Sequence, residues 1–288
     1  MGIPRSTYYY KKKGKKIPDI EIAEKIEEIA LNYPSYGYRR ITAQLKRQGL
    51  KINHKKVLRL MRDKNLLCRA QKAYKATTDS SHILKKYPNL IDGIIPSRLD
   101  QIWHADITYI RIATSFVYLA ALIDGFSRKV IGYGLGKTLS ADIAIEALAG
   151  AISNRNTDDL IHHSDQGVQY CSYDYVKILK DNEILISMSG KANPYDNAKV
   201  ESFFRTLKVE EIYMFEYETY SEVINRIPYF ISQVYNKKRL HSSIGYMPPE
   251  EFENINNKNK KENKPHQLIL ITRRSGQSST YFSTWVNG

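Results

Sequence analysis

Hydrophobic positions near the start of the chain recur every three or four residues, the spacing of a helix with one buried face. Residues 19–32, 38–48 and 54–65 each show this spacing and predict three helices. A short turn joins the second helix to the third, and helix, turn and helix form the helix-turn-helix pattern, which we place within residues 19–66. The residues best suited to cap the first and third helices are Asp19 and Asn53.

From residue 101 onward, alternating and continuous apolar runs replace that spacing and predict strands. Three strands joined by short loops favour an antiparallel meander, and two later strands that each follow a helix favour parallel crossovers. The order βββαβαβαα predicts an α/β fold with a mixed five-stranded sheet and helices on both faces. The predicted strands are 102–112, 116–124, 129–136, 160–165 and 184–189, and the helices are 140–155, 172–183, 197–208 (capped by Asp196) and 221–239 (bent at Pro228).

The remaining segments have no sustained apolar periodicity and read as connections and tails. A polar low-complexity stretch, residues 254–264, predicts a linker, and residues 265–288 suggest no function. The predicted division is a basic arm at 1–18, an all-α helix-turn-helix domain at 19–66, a linker at 67–100, an α/β core at 101–253, and a polar linker with a tail at 254–288.

The net charge of +14 belongs entirely to the first quarter of the chain. Residues 1–75 contain 20 Lys and Arg against 6 Asp and Glu, whereas residues 76–288 contain 24 of each kind. Concentrated positive charge on patterned helices favours nucleic-acid binding, although a solvated basic face on a three-helix bundle remains the alternative. The side chains predicted to contact DNA here are Arg39, Arg40, Lys55, Lys56 and Arg59.

Several classes of protein are disfavoured by composition. No apolar run reaches 18 residues, so no membrane span is expected, and the basic N-terminus lacks the apolar stretch of a secretory signal. The isolated Cys68 and Cys171 form neither a disulfide framework nor a zinc motif. We therefore expect a reducing, cytoplasmic location.

Three carboxylates are predicted to meet at one end of the sheet. Asp106 lies in the first strand, Asp165 follows the fourth strand, and the helix with Glu201 is expected to pack across that end. Such carboxylates repel each other unless a cation intervenes, and oxygen ligands suit Mg²⁺ or Mn²⁺. Two ions about 4 Å apart would support in-line phosphodiester displacement. Taken singly, these residues also suit a strand surface, a loop and an ion pair of Glu201 with Arg205.

Lys208 follows Glu201 by seven residues and lies roughly 20° from it around an ideal helix. A cation there can hold a phosphate of a substrate strand beside the carboxylates. The same helix offers further candidate DNA contacts, namely Asn197, Lys199 and Arg205.

Several ordered blocks resemble the OrfB part of transposases of insertion-sequence family three, up to about Phe252. The blocks are "GIPRSTYYY", "YPSYGYRRITAQL", "WHADITYI", "HHSDQGVQY", "NAKVESFFRTLK" and "YNKKRLHSSIGYMPPEEF". The 35 residues between Asp165 and Glu201 match the family's spacing. The resemblance implies a ribonuclease-H-like fold, similar to the retroviral integrase core. It also implies that Asp106, Asp165 and Glu201 form a DDE triad holding two Mg²⁺, and that Lys208 is a DNA-end lysine.

The same resemblance implies cleavage at transposon ends followed by strand transfer by the freed 3′-hydroxyl. Its partners would be double-stranded DNA and further copies of the chain, in the nucleoid of a bacterial cytoplasm. The family's complete enzyme usually fuses OrfB to an upstream OrfA, so we expect an OrfA-encoded partner or fusion. A nuclease that only hydrolyses DNA and a DNA-binding regulator remain as alternatives.

Overall fold

The computed structural model describes residues 18–67, 84–190 and 197–262. The predicted arm up to residue 17, Cys68, the predicted cap Asp196 and the tail at 265–288 lie outside this part of the chain. Within it, no helix is both long enough and apolar enough to cross a membrane.

The three predicted N-terminal helices are confirmed. They are α1 (Asp19–Asn32), α2 (Tyr38–Arg47) and α3 (His54–Asp63). Their apolar faces meet in one buried cluster that includes Ile26 and Leu45. This cluster gives the helix-turn-helix unit a core of its own.

One of the two predicted helix caps is confirmed and the other is wrong. The Asn53 side chain accepts a hydrogen bond from the Lys55 amide at 2.8 Å, which satisfies an amide that has no partner within α3. At the start of α1 the N-cap position belongs to Pro18. Asp19 is instead the first helical residue, and its carboxylate pairs with Lys56 and Arg59 of α3.

A five-stranded mixed sheet forms the second unit, in the order β3-β2-β1-β4-β5. Strand β1 pairs antiparallel with β2 and parallel with β4, so the first and fourth strands are neighbours, as predicted. Strand β5 extends the sheet in parallel from β4. The strands are β1 (Ile102–Arg111), β2 (Phe116–Asp124), β3 (Val130–Gly136), β4 (Ile161–Ser164) and β5 (Leu185–Met188).

Helices cover both faces of the sheet, which confirms the predicted α/β fold class. On one face α4, α5 and α6 bury a cluster around Trp103, and on the other face α7 and α8 bury a cluster around Phe203. Helix α4 lies directly on β3 because Gly132 has no side chain: a Cβ there would lie 2.1 Å from the Ala147 carbonyl oxygen. The helices are α4 (Ala141–Ile152), α5 (Val168–Cys171), α6 (Tyr173–Asp181), α7 (Ala198–Leu207) and α8 (Tyr220–Tyr229).

The helix predicted over residues 221–239 changes character after Pro228. Helix α8 ends at Tyr229, and Phe230–Tyr235 continues as a π-helix. Proline has no amide hydrogen, so the regular hydrogen-bond ladder is interrupted there. Another π-helical segment, Lys208–Ile212, directly follows α7 and is the first along the chain, so Phe230–Tyr235 is the second.

The polar linker predicted from residue 254 is wrong for the residues that the structure describes. They belong to α9 (Pro249–Glu262). Its first turns are fixed by Glu253, which is buried against the core and accepts hydrogen bonds from Arg155 and Ser127. A helix anchored in this way extends into the polar segment beyond it.

The helix-turn-helix unit is docked on the segment that follows the second π-helix. Leu240 is buried in the cluster of α1, α2 and α3, and its amide donates to the Tyr36 hydroxyl at 2.9 Å. Arg40 of α2 also lies 3.5 Å from Glu210, which belongs to the π-helical segment after α7. The unit therefore contacts the segment that follows the helix carrying Glu201.

Candidate active site

The sheet register brings Asp106 and Asp165 to the same level on two adjacent strands. His104 of β1 is directly paired with His163 of β4 in the parallel register. Asp106 and Asp165 each lie two residues farther along, Asp106 in the middle of β1 and Asp165 just past the end of β4. The predicted meeting of these two carboxylates follows from the strand order.

Backbone amides orient both aspartates. The Ile107 amide donates to Asp106 Oδ1 at 2.8 Å, and the Gly167 amide donates to Asp165 Oδ1 at 2.9 Å. Gly167 is required close to this carboxylate, because a Cβ there would lie 2.9 Å from Asp165 Oδ1. Each carboxylate therefore has one oxygen held by a backbone amide.

Negative charge is strongly disfavoured at Asp106. Burial is the largest cause of a rise in the pKa of this carboxyl to about 8, and the Asp165 and Glu201 carboxylates contribute to the same rise. The Ile107 amide and Lys208 oppose this rise in pKa. Asp165 and Glu201 are therefore close enough to repel an ionised Asp106.

Helix α7 carries Glu201 on its exposed side, near its N-terminus. Partial burial raises the pKa of the Glu201 carboxyl. Asn197, just before the helix, is buried, and its Nδ2 donates to the Ala105 carbonyl oxygen at 3.0 Å. This bond ties the start of α7 to the strand position next to Asp106.

Within the described residues, no three His, Cys, Asp or Glu side chains are grouped closely enough to hold a metal ion. The carboxylates nevertheless suit a hard cation, because all their donors are oxygen and the site penalises unneutralised negative charge at Asp106. Asp106, Asp165 and Glu201 thus offer oxygen donors of the kind that Mg²⁺ and Mn²⁺ prefer.

Lys208 and Arg205 differ in their surroundings. Lys208 Nζ lies 5.1 Å from the centroid of the Tyr109 ring. Burial lowers the pKa of Lys208, and the Asp106 carboxylate partly offsets this, which places the ammonium group near the carboxylates. Arg205 is exposed, and among the described residues it forms no ion pair with Glu201.

Two of the predicted DNA contacts, Asn197 and Lys199, are turned into the protein. Lys199 Nζ lies 3.2 Å from His104 Nε2, and burial together with the Arg128 charge lowers the pKa of Lys199 to about 8. With Asn197 bonded to Ala105, both side chains hold α7 against β1. In this structure neither is presented to DNA.

His104 is a site residue that sequence reasoning missed. It is buried two residues before Asp106, stacks edge-on against His163 at 5.8 Å and contacts Lys199. His163 contacts the hydroxyls of Ser187 and Ser189. The sequence does contain a signal for this histidine pair. His104 lies two residues before Asp106, and His163 lies two residues before Asp165, so the alternation of side chains along a strand directs each histidine to the same face as the aspartate that follows it.

The predicted DNA contacts of the helical unit divide into exposed and engaged side chains. Arg39 and Lys55 are exposed. Lys56 and Arg59 share the Asp19 carboxylate. Arg40 is partly buried over the Tyr36 ring and forms an ion pair with Glu210. Its charge therefore stabilises the contact between the helical unit and the core.

Comparisons with known proteins agree with this architecture. The family described as "Integrase core domain" matches residues 96–194 and, through a second model of the same description, residues 182–249; the family described as "HTH-like domain" matches residues 18–74. The "Insertion element IS600 uncharacterized 31 kDa protein" of Shigella sonnei is 34% identical over 260 residues, covering 88% of this chain and 95% of that protein.

A second relative is the "Transposase InsF for insertion sequence IS3A" of Escherichia coli (strain K12), 38% identical over 224 residues and 77% of each chain. Among solved structures, the catalytic core domain of BIV integrase aligns with 56% of this chain and 99% of that domain. The alignment has 21% identity and a TM-score of 0.42.

Proposed function

We propose, from the premise that this chain belongs to the integrase-core transposase family of insertion sequences, that it cleaves DNA at transposon ends and joins the freed 3′-hydroxyl to target DNA. Its fold is the ribonuclease-H-like α/β fold, a mixed five-stranded sheet covered on both faces and preceded by a helical helix-turn-helix unit. The observation that carries the proposal is the pair of aspartates on adjacent strands, Asp106 within β1 and Asp165 just after β4.

Asp106, Asp165 and Glu201 would hold the metal, in line with their oxygen donors and with the penalty on charge at Asp106. When bound, two Mg²⁺ or Mn²⁺ ions stabilise the attacking and leaving oxygens of an in-line phosphodiester displacement. The Ile107 and Gly167 amides fix the aspartates in advance, so little reorganisation is needed when the DNA arrives.

Lys208 is suited to hold a phosphate of the reacting strand, because its ammonium group lies near Asp106 and is already partly desolvated. Exposed Arg205, three residues earlier, offers a second phosphate contact. Asn197 and Lys199 act through α7 as positioning residues, since their contacts are with Ala105 and His104.

The helical unit is proposed to bind double-stranded DNA through the exposed start of α3 and through α2. Lys55 is exposed toward the duplex, and exposed Arg39 would reach it from its contact with the Tyr38 hydroxyl. Lys56 and Arg59 already form ion pairs with Asp19, which would reduce their attraction for DNA phosphates. Joining two ends needs more than one active site, so the working form is a homo-oligomer on DNA, with an OrfA-encoded segment as partner or fusion. Such substrates locate the enzyme at the bacterial nucleoid.

Strand transfer in vitro tests the proposal. The purified chain, with and without a fused OrfA-like segment, is incubated with a labelled transposon-end duplex, a target plasmid and Mg²⁺ or Ca²⁺. We expect joined product with Mg²⁺ only, its loss in Glu201→Gln, and its retention in Glu216→Gln, which changes an exposed glutamate outside the site.

The outcomes separate the alternatives. Cleavage without joining, with and without the fused segment, would replace the proposal with a hydrolysing nuclease. Salt-sensitive DNA binding with no chemistry in either metal would leave a DNA-binding regulator.

A further inference from the structure

A cluster of partly exposed aromatic rings lies near the turn of the β1–β2 hairpin. The rings of Tyr109 and Phe116 meet edge-to-face, with centroids 5.4 Å apart and an interplanar angle of 87°. Phe116 is 44% exposed although it lies in a strand, and Tyr213, after the first π-helical segment, is 42% exposed. Tyr213 is close enough to Tyr109 for the Tyr109 hydroxyl to add to the rise in the Tyr213 pKa that burial causes. We call Tyr109, Phe116 and Tyr213 the aromatic cluster.

Two cations border the aromatic cluster, and one of them, Lys208, also interacts with an active-site carboxylate. Lys208 Nζ lies 5.1 Å from the centroid of the Tyr109 ring and also interacts with the Asp106 carboxylate. Arg111, paired in register with Phe116, is exposed and adds a second cation. The cluster is therefore an apolar surface bordered by cations, complementary to a ligand with flat apolar faces and negative charge.

The distance from the active site limits which part of a DNA strand could reach this surface. Tyr109 follows Asp106 by three residues on β1, which is roughly 10 Å at the rise of a strand. An odd separation directs the two side chains to opposite faces of the strand, and Lys208 is the residue that interacts with both. Stacked nucleotides are spaced about 3.4 Å apart along one strand, so this distance corresponds to about three nucleotides. Exposed aromatic rings bind unpaired bases of any sequence, because every base has a π-face.

We propose that the aromatic cluster and Lys208 form a stacking subsite for an unpaired DNA base about three nucleotides from the reacting phosphate. The subsite rests on the proposed function, since it uses the same bound strand. Phe116 and Tyr109 would supply the stacking surface, and Lys208 would hold the adjoining phosphate. Such a subsite would keep the strand end frayed and aligned with the carboxylates.

Fluorescence of 2-aminopurine, an adenine analogue that stacking quenches, tests this directly. The analogue is placed at each of the first six unpaired positions of a forked duplex, with Ca²⁺ in the buffer. We expect wild-type protein to quench it most near the third position. Phe116→Ala and Phe116→Leu should remove that quenching and weaken binding of the forked duplex about 5- to 150-fold, whereas Phe116→Trp should retain both.

Phe116→Leu keeps an apolar side chain without a π-face, so a loss shared by Leu and Ala assigns the effect to stacking. Tyr173→Ala is the matched control, because Tyr173 is 79% exposed on α6 and has no aromatic contact within the described residues. Equal quenching by wild type, Phe116→Ala and Phe116→Leu would overturn the subsite. So would a change of oligomeric state without DNA in these variants, since that would make the cluster a protein interface.

Strand transfer with Mg²⁺, measured on the same proteins, separates the two proposals. If the wild type joins DNA while quenching is independent of Phe116, the subsite fails and the proposed function stands. If quenching depends on Phe116 but the wild type neither joins nor cleaves DNA, with or without the fused OrfA-like segment, the proposed function fails and the subsite stands.

Discussion

Arg239 and Glu210 form a buried ion pair whose loss should markedly destabilise the protein. Both guanidinium–carboxylate hydrogen bonds are 2.8 Å long, and the Arg239 and Glu210 side chains are 5% and 12% exposed. Arg40 of the helical unit lies 3.5 Å from the same carboxylate. Replacing Arg239 by Met keeps most of the apolar stem but leaves Glu210 buried with only that longer contact.

Removing one member of a buried ion pair typically costs about 3–5 kcal/mol, because the remaining charge stays desolvated. We therefore expect Arg239→Met to lower the free energy of unfolding by about that amount. For a unit of this size the corresponding fall in Tm is roughly 6–20 °C. Glu210→Gln should cost a similar amount, since it leaves Arg239 uncompensated.

Urea denaturation followed by far-UV circular dichroism measures the free energy of unfolding of the wild type and of each variant. The double variant should cost clearly less than the sum of the single variants, because it removes both buried charges together. Lys177→Met is the control, because the Lys177–Asp181 pair is 58% and 59% exposed and should be worth under about 1 kcal/mol. Single variants that unfold within 1 kcal/mol of wild type, or costs that simply add, would refute the reasoning.

Three further predictions follow from the site and from the helical unit. Asn197→Ala removes the hydrogen bond to the Ala105 carbonyl oxygen, so strand transfer should slow roughly 10- to 100-fold at saturating metal, with little change in overall fold; an unchanged rate would contradict a positioning role. Because burial and Asp165 raise the pKa of Asp106 to about 8, metal must displace its proton, and the apparent Mn²⁺ affinity should rise about tenfold per pH unit up to about pH 8 and then level off. A titration that is flat between pH 6 and 8 would count against this coupling. Asn53→Ala should destabilise the protein by about 1 kcal/mol in the same urea assay, because it removes the cap of α3, whereas an unchanged midpoint would mean that the cap contributes nothing.

The sheet could be predicted from the sequence because its signals are local. Alternation and apolar runs locate the strands, and short loops followed by helical crossovers set their order. That order makes the first and fourth strands neighbours, which the register confirms, and so brings Asp106 of β1 close to Asp165, just after β4.

Features that depend on distant contacts could not be predicted in this way. The α9 helix depends on Glu253 meeting Arg155, 98 residues away, and a polar composition gives no sign of that contact. Asn197 and Lys199 were predicted to contact DNA because they share the helix of Glu201 and Lys208, whereas packing of α7 on β1 buries Asn197 and turns Lys199 inward. Arg40 was likewise predicted to contact DNA, whereas its guanidinium lies 3.5 Å from the Glu210 carboxylate.

Mn²⁺ binding tests most directly that Asp106, Asp165 and Glu201 form one metal site. Electron paramagnetic resonance of free Mn²⁺ is followed while the ion is titrated into protein bound to transposon-end DNA that lacks a reactive 3′-hydroxyl. We predict that the wild type and Glu216→Gln bind Mn²⁺ equally, and that Asp106→Asn, Asp165→Asn and Glu201→Gln each weaken binding by roughly tenfold or more. Equal Mn²⁺ binding by wild type and all three of these variants would contradict the account.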